Sequence, residues 1–174
     1  RMRAYGTLML DTALRRTSEW QVGHPFKALD MMLTITLDMI IEAVFGVSKS
    51  SPRVHAFREQ LVSLIEGFHP MLFAKFFRRR IFPPWVRFQR AYEALRQQIF
   101  ALINENRSQL EGREDILSLL IKARDEQGQG LSDQEIMDQL IAILFGGHDT
   151  TAVTLSWSLY LLHRNPEALS RLRA

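Results

Sequence analysis

The chain has 174 residues, 47% of them hydrophobic, with 9 glycines, 6 prolines and no cysteine. That is enough apolar material to bury one core, and the lack of cysteine excludes disulfides and thiolate metal sites from these residues. A net charge of +3 and an isoelectric point near 9.6 are too mild to imply nucleic-acid binding.

Helical periodicity opens the chain, from about Arg3 to Ser18 through Tyr5, Leu8, Met9 and Leu14. A second helix is expected from Pro25 to Phe45, apolar on nearly all faces and therefore central, with Gly46 as its stop signal. The apolar run Phe26 to Val47 carries Lys27, Asp30, Asp38 and Glu42, which fits a buried helix and not a membrane span. Ser51-Pro52 signals the start of a third helix through Val54, Phe57, Leu61 and Ile65, which Gly67 and His69-Pro70 end.

The fourth begins near Pro84, shows helical spacing at Val86, Tyr92, Leu95, Ile99 and Leu102, and ends by Arg107. A shorter fifth covers Asp115 to Arg124, and Glu126-Gln-Gly-Gln-Gly130 reads as a flexible connection. Ser132-Asp-Gln-Glu135 is a capping box that opens a long helix from Asp133 to Arg164. At 1.5 Å per residue it spans about 48 Å, enough to cross a whole domain. Asn165-Pro166-Glu167 caps and starts the last helix. The expected fold class is all-α, one helical domain over 1–174. Arg1 enters a helical pattern without a cap, and Ala174 stops about two turns into a helix, so the domain is expected to be incomplete.

Gly146-Gly147-His148-Asp149-Thr150-Thr151 interrupts the apolar segment Ile136 to Leu162. Two adjacent glycines in mid-helix cost roughly 1 kcal/mol each relative to alanine. Such a defect is tolerated where a ligand must approach the backbone, or where the i to i−4 ladder must open into a kink. Gly146 lies one turn before Thr150 and Gly147 three residues before it, so bare β-positions and a hydroxyl fall close together. A carbonyl freed there has the Thr150 hydroxyl as a donor.

This pattern resembles the oxygen-binding helix of the cytochrome P450 family, Ala/Gly-Gly-x-Asp/Glu-Thr-Thr/Ser, with every specified position filled. Leu161-Leu-His-Arg-Asn-Pro-Glu167 downstream, and Arg1-Met-Arg-Ala-Tyr-Gly6, Ile35-Thr-Leu-Asp-Met-Ile40 and Val44-Phe-Gly-Val47 upstream, extend the resemblance over essentially the whole chain. It implies the helical core portion of the P450 fold, with one long central kinked helix. It implies further a haem monooxygenase that inserts one oxygen atom from O2 into an apolar small molecule. A ferredoxin or a reductase-type protein would supply the electrons.

By the same resemblance Thr150 would hydrogen-bond oxygen at the haem, and Asp149 would relay protons through water. Gly146 and Gly147 would form the notch above the haem, with Ala142 and Ile143 one turn earlier facing haem or substrate. The family's haem ligand is a cysteine in Phe-x-x-Gly-x-x-x-Cys, and none is present here. Glu93-Ala-Leu-Arg96 has the letters of the family's Glu-x-x-Arg pair but precedes the oxygen-binding helix, and reads as an exposed ion pair. Trp85-Val-Arg87 does not replace the family's Trp-x-x-x-Arg, which would lie before Arg1. Alone, the chain is therefore expected to be inactive.

His24, His55, His69, His148 and His163 show no zinc spacing, and no metal ligand is assigned; His148 reads as a packed or solvent-reaching imidazole. Phe68 to Tyr92 is rich in phenylalanine and arginine and contains no acid. The resemblance makes Phe68, Phe73, Phe76 and Phe77 candidate substrate-channel residues. Weak membrane-surface contact through Phe68 to Arg90 is the alternative use of the segment, and nucleic acid is not an expected partner. A cytoplasmic location is expected. The competing functional reading is a non-redox, all-helical ligand-binding or membrane-surface module.

Overall fold

The computed structural model describes residues 2–48, 50–67 and 83–174. Among them are seven helices and no strand: α1 (Met2–Ser18), α2 (Ala28–Ala43), α3 (Val54–Gly67), α4 (Pro83–Arg107), α5 (Ile116–Lys122), α6 (Asp133–Arg164) and α7 (Pro166–Arg173). The all-α expectation holds.

Start and stop chemistry explains most boundaries. The Ser132 side chain accepts from the Glu135 backbone while the Glu135 carboxylate accepts from Ser132 N–H, so α6 begins on a complete capping box. Asp115 caps α5 by accepting from Ser118 N at 2.8 Å, which places it before the helix instead of within it. Asn165 accepts from Ala168 N, and Pro166 fills the first position of α7.

α2 starts three residues later than the prolyl signal at Pro25 suggests. Lys27 stands at its N-cap and offers no side-chain acceptor. It also ends earlier, at Ala43, and Gly46 at φ +66° turns the chain so that Val47 N reaches Ile41 O at 3.0 Å.

The segment expected to be a flexible connection before α6 is a hydrogen-bonded turn instead. Asp125 Oδ1 accepts from Gln127 N at 3.0 Å and Gln129 N at 2.7 Å, and Arg124 pairs with Gly130 across the turn. An aspartate at the head of a glycine turn satisfies the backbone that glycine alone would leave loose.

α2 and α6 pack along each other, α3 pairs with α4, and α1 leans on the outer side of α2. The main core joins Leu37 and Ile41 of α2, and Phe45 just after it, to Leu61 of α3, Ile99 of α4 and the first half of α6. Ile136, Met137, Leu140 and Leu144 are fully buried there. A smaller cluster of Met32, Ile35 and Ala152 continues the α2–α6 seam past the glycines. Beyond Ala152 the helix exposes Val153, Leu155, Trp157, Tyr160 and Leu161. No helix among the described residues is long and apolar enough to cross a membrane.

Candidate functional site

The glycine motif lies near the middle of α6, where the helix passes from the buried core to its exposed half. The helix runs from Asp133 to Arg164 without a break. Helical period separates neighbouring residues by about 100°, and the two glycines consequently have different surroundings. A β-carbon on Gly146 would meet nothing within 4 Å, whereas one on Gly147 would stand 3.9 Å from Ile40 Cδ1 of α2. Gly146 thus contributes open space, and Gly147 contributes closeness to α2.

Ala142, Gly146 and Thr150 follow one another at successive turns and are all exposed. They form a strip of small side chains on which a flat group can lie. Ile143 is half-buried and packs against the main core, so it lies off this strip. The Thr150 hydroxyl donates to the Gly146 carbonyl one turn back. Its oxygen stays on the exposed face.

His148 and Asp149 sit on the other side of the turn. His148 is only 5% exposed, and its Nδ1 lies 3.0 Å from Thr36 Oγ1 of α2. Thr36 spends its own proton on Leu33 O at 3.2 Å, so Nδ1–H is the donor to Thr36 and Nε2 is left as an acceptor. Burial pushes the imidazole pKa below its ordinary value; Asp149 opposes that shift and Arg58 adds to it. His148 is therefore a packed neutral histidine, with Nε2 3.7 Å from Asp149 Oδ1.

The Asp149 carboxylate is 59% exposed. It borders a cleft of about 320 Å³ between α2, α3 and α6, shared with Asp30, Arg58, Glu66 and His148. Among the described residues no group of three His, Cys, Asp or Glu side chains is placed to hold a metal ion.

The other sequence candidates separate cleanly. Glu93 and Arg96 form the exposed i, i+3 pair at 3.2 Å that their spacing implies. Phe68, Phe73, Phe76 and Phe77 lie outside the described residues. Two relationships had no sequence signal: the bond from His148 to Thr36, 112 positions apart, and the gathering of Arg15, Arg16 and Arg58 on Asp38. The glutamine- and serine-lined cleft beside Asn106 was likewise invisible in the pattern.

Comparison with known proteins gives this geometry its context. The Cytochrome P450 family model matches residues 5–174. Cytochrome P450 137 of Mycobacterium tuberculosis is 38% identical over 161 residues, covering 89% of this chain and 33% of that protein. Cytochrome P450 135A1 of the same organism is 33% identical over 174 residues, 98% of this chain and 38% of its own length.

The crystal structure of the cytochrome P450DA heme domain superposes with a TM-score of 0.80 at 28% identity, covering 98% of this chain and 38% of that one. The retinoic acid bound cyanobacterial CYP120A1 shares the fold, with a TM-score of 0.78 at 24% identity over 98% of this chain and 38% of its own. The chain spans about a third of the length of the curated relatives it matches. With the motif of α6, the helical order and the family match in agreement, the chain belongs to the cytochrome P450 family.

Proposed function

We propose that the protein to which these residues belong is a haem-dependent monooxygenase acting on an apolar small molecule, and that α6 forms the wall against which oxygen is handled. The observation that carries this reading is the exposed strip of Ala142, Gly146 and Thr150, with open space where a Gly146 side chain would stand. A planar group fits such a strip on one face. No cysteine occurs among the 174 residues, so an axial thiolate is not theirs to give, and this chain alone is expected not to turn over substrate.

When bound, haem supplies the centre at which O2 is reductively split, one oxygen atom entering the substrate and the other leaving as water. Electrons come from a ferredoxin or reductase-type donor protein. The chain's own residues provide positioning and protons. Thr150 holds its hydroxyl oxygen on the open face, and rotation about its side-chain bond turns the proton from the Gly146 carbonyl towards the strip. Asp149 takes protons at its carboxylate from the cleft it shares with Asp30, Arg58 and Glu66, and passes them through water towards Thr150. Gly147 keeps α6 close to Ile40 of α2, which fixes the height of the strip.

Thr150→Ala in the intact protein tests the assignment. Oxygen consumption should continue while product formed per oxygen consumed falls severalfold and peroxide accumulates. Unchanged coupling would remove Thr150 from the chemistry.

A further inference from the structure

His148 and Asp149 are neighbours in sequence, and successive residues of a helix point about 100° apart. Their tips nevertheless meet. Nε2 lies 3.7 Å from Asp149 Oδ1, and both residues line the cleft between α2, α3 and α6. The two groups are held very differently. The imidazole is buried and pinned by Thr36, whereas the carboxylate is exposed and, among the described residues, has no other ion-pair partner. One is anchored and the other can turn.

Charged groups reach this cleft from each helix around the ring. Arg58 of α3 is committed to Asp38, at 2.6 and 2.8 Å, and to the Thr34 carbonyl. Asp30 of α2 and Glu66 of α3 carry the same sign as Asp149. His148 is therefore the one lining side chain that can offer Asp149 an uncommitted cation, and it does so in only one of its two charge states.

Thr36 sets the difference between those states. Its own proton goes to Leu33 O, so the neutral ring carries hydrogen on Nδ1 and turns a bare Nε2 towards Oδ1. Two acceptors at that separation do not hold each other. A ring that gains a proton from solvent gains it on Nε2, and the same approach becomes an ion pair with a donor in place.

We propose that His148 is a positioning residue for Asp149: with Nε2 bare it leaves the carboxylate free to serve Thr150, and with Nε2 protonated it draws the carboxylate to itself and stops the proton relay. This rests on the reading that Asp149 feeds protons towards Thr150. Burial lowers the pH at which the ring becomes charged, so the relay is open at neutral pH and closes in acid.

Two measurements on the intact protein test this. The first follows the ring resonances of His148 by NMR on isotope-labelled histidine, with the haem reduced under carbon monoxide and so diamagnetic. The ring should titrate below 6.5, and at still lower pH in Asp149→Asn, which removes the anion that the charged ring meets. Asp149→Asn changes an exposed side chain, so this comparison does not depend on a core substitution. Identical titration in both proteins overturns the pair. A ring that stays neutral until the protein unfolds overturns the switch.

The second measurement follows product formed per oxygen consumed as the pH is lowered. In the wild type this ratio should fall severalfold across the titration of His148. His148→Asn has no titrating group there and should show no such fall. A fall retained in His148→Asn belongs to another group and overturns the proposal. Asp149→Asn checks the premise separately. Wild-type coupling in Asp149→Asn removes Asp149 from the relay, and with it the proposed proton path. Uncoupling of Asp149→Asn at every pH, beside a wild type that stays level while His148 titrates, keeps the relay and overturns the role of His148.

Discussion

His148 Nδ1 and Thr36 Oγ1 meet at 3.0 Å inside the seam between α6 and α2, and this is a buried side-chain hydrogen bond joining the two helices. It sits one residue before Asp149 and two before Thr150, so it fixes the rotation of the turn that carries them. Thr36→Val keeps the shape and removes the acceptor, leaving Nδ1–H buried and unpaired. The expected loss is about 1–3 kcal/mol in urea unfolding of the intact protein. A wild-type midpoint would show that the bond contributes nothing.

The same histidine makes stability depend on pH. Its folded-state pKa lies below the ordinary 6.5 because burial disfavours the charged form. Above 6.5 both folded and unfolded chains are neutral at this residue, and the full contribution is present. As the pH falls from 6.5 through the folded-state value, the unfolded chain takes the proton first and stability is lost. His148→Gln should flatten this part of the stability profile. A variant as steep as wild type below pH 6.5 would assign the slope to another group.

Asp38 lies 2.6 Å from Arg16 Nε, 2.6 Å from Arg58 Nη2 and 3.5 Å from Arg15 Nη2, with its side chain 13% exposed. One carboxylate thus ties α1 and α3 to α2. The Arg16 pKa is raised chiefly by its hydrogen bond to Asp38. Asp38→Asn leaves three guanidinium groups without their shared anion and should cost roughly 3–5 kcal/mol in denaturant unfolding. Arg58→Leu combined with Asp38→Asn should cost clearly less than the two separate losses added together. Strict additivity would mean that the cluster is not a unit.

Gly46 combines a positive φ of +66° with a crowded site: a β-carbon there would collide with Arg113 Nη2 and stand 2.6 Å from Asp115 Cγ. Gly46→Ala should lose about 1–2 kcal/mol for the left-handed backbone and about 1–3 kcal/mol more for the overlap. Gly128, at φ +79° with nothing within 4 Å of its β-position, isolates the first contribution. Equal losses for Gly46→Ala and Gly128→Ala in thermal unfolding would refute the steric part.

Gly146 predicts a different outcome. With no neighbour to its β-position, Gly146→Ala should stabilise α6 by about 0.5–1 kcal/mol and leave the strip narrow enough to work. Gly146→Leu should keep most of the helical gain and lose product formation, because its side chain covers the face beside Thr150. Unfolding and turnover measured on the same samples separate the two effects; full turnover in Gly146→Leu would deny that the strip is used.

Local signals carried the helices well. Ser132, Asp115 and Asn165 each state a helix start in their own side chains, and the structure uses all three. α2 was misplaced at both ends because Lys27 offers no cap and because the backbone turns before Gly46 is reached. The glycine motif was legible as a candidate site, since Gly-Gly followed by an acid and hydroxyls has little reason to exist in a helix whose sequence is otherwise so apolar. What could not be read was which partner each residue meets in space. Thr36 and Arg58 are ordinary helix residues by pattern, and only packing shows that one holds His148 and the other Asp38.

α6 is clamped over its first half by Ile136, Met137, Leu140 and Leu144, and its hold on α2 continues through His148 and Ala152. The helix is thus held on both sides of the motif, and the turn that carries Thr150 takes its bearing from the anchored first half as well as from the His148–Thr36 bond. A change of volume at Leu140 or Leu144 would swing Thr150 without touching any atom near it. On the proposed function, control over the face that Thr150 presents is therefore shared with buried aliphatic side chains remote from it, and variation there can retune the protein while the motif itself stays constant.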